Sequence, residues 1–169
     1  MYDQDDLLPI SALQHLAFCE RQCALIHLEG QWMESRLTAE GRQLHRKADA
    51  PGTESRGNLR ISRGLPLRSL RLGLVGKADV VEFHRVRSGS SAPDEQFTPA
   101  ARLPGVAGLW RPLPVEYKRG HPKSGPEDEI QLCAQALCLE EMLGADVPEG
   151  ALFYGQPWQR QSIAIGPEL

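Results

Sequence analysis

The spacing of apolar positions changes from helical to alternating after the first third of the chain, and returns to helical for one later segment. Over 9–30, Leu13, Leu16, Ala17, Cys23, Ala24, Ile26 and Leu28 recur near helical spacing before Gly30, and Ser11 followed by Gln14 has the form of a capping box, so this stretch predicts a first helix. Residues 35–50 predict a second helix that runs through Gly41 and stops at Pro51 and Gly52. Alternating and branched apolar residues then predict strands over 57–64, 67–84 and 111–120, with Gly73 and Gly76 marking a bulge or turn. Residues 85–109, rich in Ser, Pro, Gly and Ala, read as a long hairpin tip or a flexible loop. A third helix is predicted over 125–144, opened by Pro126 and acids in its first turn and closed at Gly144, and short strands over 150–155 and 161–166. With no internal repeat, the order ααβββαββ predicts an α/β fold, a mixed central β-sheet flanked by helices.

Length and composition fit one domain: 169 residues, 41% hydrophobic and 24% charged. The apolar runs are short and the first ten residues, MYDQDDLLPI, are acidic, so neither a membrane span nor an export signal is predicted and a cytoplasmic protein is expected. In a reducing compartment Cys19, Cys23, Cys133 and Cys138 read as thiols or metal ligands rather than disulfides. The net charge of −3 argues against a uniformly basic surface, but its distribution is uneven. Between Glu54 and Asp79 stand Arg56, Arg60, Arg63, Arg68, Arg71 and Lys77 with no acid among them, either a solvated hairpin face or a track for a polyanion.

One stretch carries candidate chemistry. In PVEYKRG, Glu116 and Lys118 stand two apart on a predicted strand, so both side chains leave the same face with Cα atoms about 6.6 Å apart. Such a triplet arises often by chance. Burying both charges is costly unless they meet solvent or a ligand. Asp79, in GKADVVEF, lies on the preceding predicted strand, and if the two strands are neighbours two carboxylates and a lysine converge. Oxygen donors of this kind suit Mg²⁺ or Mn²⁺ beside a phosphate. Such an ion acidifies the attacking water and neutralises phosphate charge, while the lysine holds or polarises that water.

Five segments in order, FCERQCALIHLEG, AEGRQLHRKAD, GKADVVEF, PVEYKRG and DEIQLCAQALCLEEML, resemble the CRISPR-associated exonuclease family Cas-four, of the RecB-like branch of the PD-(D/E)xK nucleases. The resemblance covers nearly the whole chain. It implies a restriction-endonuclease-like core and a metal-dependent DNA nuclease that processes prespacer ends, including the side bearing the protospacer-adjacent motif, for spacer acquisition. It implies Asp79, Glu116, His45 and the backbone carbonyl of Tyr117 as metal ligands, Lys118 as the catalytic lysine and Gln131 as the active-site glutamine. DNA and the integrase subunits Cas-one and Cas-two are the implied partners, with the Arg56–Lys77 window along the DNA backbone. Trp32, Trp110 and Trp158 offer rings for bases, although core packing is the simpler expectation for each. Where the family often carries tyrosine four residues after the glutamine, this chain has Gln135, which puts a DNA contact there in doubt.

The family also binds a four-iron four-sulfur cluster through one N-terminal cysteine, matched by Cys19, and three in a C-terminal tail that have no counterpart here. Cys19 and Cys23 share a helical face at i and i+4, with Cys23 expected in the core, whereas Cys133 and Cys138 lie about 140° apart around a helix and are expected as packed thiols. A truncated or fragmentary chain, such as the nuclease part of a fusion with Cas-one, is the expectation, with a natural cluster-free variant as the alternative. The alternative functions are a dormant DNA-end docking module for the integrase complex and a repair or restriction nuclease of the same fold.

Overall fold

The computed structural model describes residues 1–31, 52–86, 100–156 and 158–169. The predicted second helix with His45, the Trp32 side chain and most of the predicted 85–109 loop lie outside the described residues.

After a 3₁₀ turn at Gln4–Asp6 come β1 (Leu8–Pro9), α1 (Ile10–Phe18), α2 (Glu20–His27), β2 (Gly52–Arg56), β3 (Leu59–Ser69), β4 (Leu74–Arg85), β5 (Trp110–Lys118), α3 (Glu127–Leu143), β6 (Glu149–Tyr154) and β7 (Gln159–Ala164). The strands form one sheet in the order β2-β3-β4-β5-β6-β7, with β1 beside β4. The pairs β1–β4 and β5–β6 are parallel and the others antiparallel, which makes the mixed α/β sheet that the sequence predicts. A parallel pair needs a crossover, and α3 supplies it between β5 and β6, lying on the sheet face that buries Leu67, Val81 and Phe83 against Ala134, Cys138 and Leu139.

β4 and β5 pair only from Arg85–Trp110 to Val80–Val115. Beyond that point β4 takes β1 as a neighbour at Leu74 and Val75, so the two long strands part at Asp79 and Glu116. Gly73 sits in the β3–β4 turn with φ of 70°, a conformation glycine adopts at little cost. Gly76 lies inside β4 and lets Ile10 of α1 approach: a Cβ there would stand 2.9 Å from Ile10 Cδ1.

The first predicted helix is in fact two. Cys19 is extended, with φ of −167° and ψ of 115°, and separates α1 from α2 as the N-cap of the latter. Ser11 forms no capping box: α1 begins one residue earlier, behind Pro9, and the Gln14 amide is drawn across to α3 instead. Cys19 and Cys23 therefore do not share one continuous helix. Trp110 is buried as expected, but Trp158 is 78% exposed in the β6–β7 turn, its ring edge-on to Phe153, so core packing does not hold for it. The third helix keeps its predicted ends, with Pro126 as N-cap and Gly144 in the left-handed region at φ of 61°.

Candidate active site

The parting of β4 and β5 creates the site. Asp79, buried inside β4, accepts the backbone N–H of Tyr117 at 2.8 Å through Oδ2, so a side chain takes over where the strand ladder stops. On β5 strict alternation puts Glu116 and Lys118 on one face and Tyr117 on the other, where its ring meets Phe153 at 4.9 Å.

α3 closes the site from above. Asp128, Gln131 and Gln135 fall at spacings of three and four, one polar stripe along α3 that meets β5. Gln131 bridges the charged pair, donating from Nε2 to Glu116 Oε1 at 2.7 Å and accepting from Lys118 Nζ through Oε1 at 2.6 Å. Lys118 Nζ also reaches Glu116 Oε1 at 3.1 Å. Gln135, fully buried, donates from Nε2 to Glu116 Oε2 at 2.7 Å. A carboxylate 2% exposed would be costly alone, and these donors to both oxygens offset that cost.

Asp128 occupies the first turn of α3 and is equally buried. Its Oδ1 accepts from Gln14 Nε2 at 2.8 Å and Lys123 Nζ at 3.1 Å, and lies 3.6 Å from Lys118 Nζ. Burial works to raise this carboxyl, but the ammoniums of Lys118 and Lys123, with the bonds from Lys123 and Gln14, hold it below the usual carboxylate range. Burial, then the nearby Asp128 carboxylate, pushes the Tyr154 phenol up to about 12. Between α1 and the C-terminal end of α2, His15 Nδ1 and His27 Nε2 share a hydrogen bond of 2.9 Å. Burial, His27, Lys118 and Lys123, in that order, lower His15.

The structure brings Asp79, Glu116, Lys118 and Gln131 together from three elements, and places Gln135 and Asp128 beside them. Gln135 holds Glu116 from inside the core, so its side chain is not a DNA contact. Among the described residues no group of three His, Cys, Asp or Glu side chains gathers around one point, and His45 lies outside them. Asp79, Glu116 and the Tyr117 carbonyl are all oxygen donors, a set that fits a hard divalent cation.

The predicted basic window is divided. Arg56 and Arg63 both lie 3.3 Å from Glu54, and the Arg60 guanidinium stands over the Trp110 ring at 6.0 Å. Arg68 and Arg71 lie toward the β3–β4 turn, while Lys77 precedes Asp79 by two on β4. Cys19 is exposed, Cys23 Sγ lies 3.6 Å from the Ala12 carbonyl, and Cys138 is buried, its thiol pushed up to about 11 by burial and then Glu141. Burial and then Glu140 also raise Cys133. The described cysteines do not together form an iron–sulfur site.

No family model matches the chain. It is 31% identical over 173 residues, 96% of its length, to a CRISPR-associated exonuclease Cas4/endonuclease Cas1 fusion of Geobacter sulfurreducens. It is 27% identical over 164 residues, 93% of its length, to a protein of the same name from Leptospira interrogans. The matches cover 26% and 25% of those relatives, so the chain spans about a quarter of their length. No helix among the described residues is long and apolar enough to cross a membrane.

Proposed function

On the premise that this chain is a relative of the CRISPR-associated exonuclease Cas4/endonuclease Cas1 fusions, we propose that it is a metal-dependent DNA nuclease that trims prespacer ends for spacer acquisition. The observation that carries the reading is the Glu116–Lys118–Gln131 triangle beside Asp79, at the point where β4 and β5 part. A structural ion pair would need no such investment of buried polar groups, since an apolar pair of similar volume is often as stable.

Asp79, Glu116 and the Tyr117 carbonyl would hold Mg²⁺ or Mn²⁺, with His45 as the further ligand that the sequence resemblance implies. When bound, the ion supplies Lewis-acid stabilisation of charge on the phosphate and acidification of water. Lys118, held by Gln131, orients the attacking water and offers its ammonium to the phosphate. Gln131 and Gln135 keep the Glu116 carboxylate from rotating, so the oxygen donors need little rearrangement on binding.

The bases from Arg56 to Lys77 would follow the DNA backbone, giving affinity without sequence reading. The integrase component Cas1 is a proposed partner, since the relatives' names join exonuclease and Cas1 in one protein, and Cas2 is proposed with it on the sequence resemblance alone. The enzyme would act in the cytoplasm, and Cys19 stands where the sequence resemblance implies one ligand of a four-iron four-sulfur cluster, whose other three cysteines have no counterpart in this sequence.

The test pairs binding with cleavage. Asp79→Asn should bind an overhang DNA in fluorescence anisotropy within about threefold of the parent, because phosphate contacts dominate affinity. With Mn²⁺ it should cut at least about 100-fold more slowly, the scale of losing one metal ligand. Equal cutting by Asp79→Asn and the parent would exclude this site.

A further inference from the structure

Lys118 Nζ donates to Gln131 Oε1 and Glu116 Oε1, and Asp128 Oδ1 stands 3.6 Å away at ion-pair distance. Glu116 is also a proposed metal ligand. Once its carboxylate serves a cation, its pull on Lys118 weakens and the cation repels the ammonium. The Lys118 side chain is 12% exposed, so water screens this repulsion poorly. Asp128, 3.6 Å from Lys118 Nζ, is a second carboxylate in reach, and it is not among the proposed ligands.

Asp128 is also anchored independently of Lys118. Gln14 binds it from α1 and Lys123 from the loop before α3, and Tyr154 approaches it from β6. A first-turn acid kept only for the helix dipole would work as well in solvent; this one is 2% exposed and hydrogen-bonded to α1 and to the loop before α3.

We infer that Asp128 is a positioning residue: its buried carboxylate keeps the Lys118 ammonium at the site while Glu116 is engaged with the cation. The catalytic part rests on the nuclease reading, while the positioning itself does not.

The experiment therefore reads the lysine directly. The lysines are Lys47, Lys77, Lys118 and Lys123, so a proton–carbon spectrum of protein labelled at lysine Cε is simple, and Lys118→Ala identifies the Lys118 signals. A lysine held in one rotamer shows two distinct ε-proton signals; a freely turning one shows a single averaged signal. In Mg²⁺ the parent should show two for Lys118 and Asp128→Asn one, with Asp128→Asn remaining folded by circular dichroism. Under the nuclease reading, kcat for DNA cleavage should fall about 10–100-fold with KM unchanged, the scale of a misplaced catalytic group. If Asp128→Asn does not fold, Asp128→Ser, which keeps a residue suited to a helix start, takes its place with the same expected spectrum. Two unchanged Lys118 signals in the folded variant would overturn the inference, as would unchanged kcat in a parent that cleaves. A parent that does not cleave removes the nuclease reading and leaves the spectrum to decide the positioning.

Discussion

Gln135 donates to Glu116 Oε2 from a position with no solvent exposure, one helical turn beyond the Gln131 that donates to Oε1. Two glutamines on one helix thus hold both oxygens of a single buried carboxylate, and the helix and strand β5 are locked together through the site.

Removing the inner donor should therefore be felt in folding. Gln135→Leu leaves a buried carboxylate oxygen without that partner, and stability should fall by about 1–3 kcal/mol. Urea unfolding in chelator measures it, with Gln135→Glu, which sets a second acid against Glu116, expected to lose more.

The close approach of α1 to β4 gives a second prediction. Gly76→Ala puts a Cβ 2.9 Å from Ile10 Cδ1 and should cost about 1–3 kcal/mol through forced repacking. Gly166→Ala, which meets nothing within 4 Å, should stay within about 0.5 kcal/mol of the parent in the same melts.

The His15–His27 pair makes stability depend on pH in a defined direction. His15 lies below its ordinary 6.5 in the fold, so the unfolded chain takes up this proton at higher pH than the native one does. Its contribution is fully present above about pH 6.5 and is lost as pH falls through the lowered native value. Urea midpoints at pH 7 and pH 5 should differ less for His15→Asn than for the parent. Asp128, also lowered, acts in a separate window, its contribution being lost only below about pH 4.

Cation binding should appear as stabilisation without any DNA. A cation that binds only the native state adds about 2.7 kcal/mol at a hundredfold excess over its Kd. Mn²⁺ should raise the Tm of the parent, and Asp79→Asn, which retains an acceptor for the Tyr117 N–H, should lose most of that rise.

Local rules made much of this legible. Alternation found the strands that carry Asp79, Glu116 and Lys118, and Pro126 and Gly144 fixed the ends of the helix that carries Gln131. The break at Cys19 was hidden because apolar spacing continues on either side of it, and β1 and β2 are too short or too polar to announce themselves. Asp128 and Gln135 take their roles only when α3 folds back across β5, a pairing that no local pattern contains. A signal did exist: polar residues at 128, 131 and 135 form one stripe interleaved with apolar Leu132, Ala136 and Leu139, and burying such a stripe is costly unless partners await it.

The most direct test of the central claim is cleavage of end-labelled single-stranded and overhang DNA with Mn²⁺, Mg²⁺ or chelator, comparing the parent with Lys118→Ala. Cutting should require the divalent ion and disappear in Lys118→Ala while DNA binding persists. Ion-independent cutting, or equal cutting by Lys118→Ala, would contradict that claim.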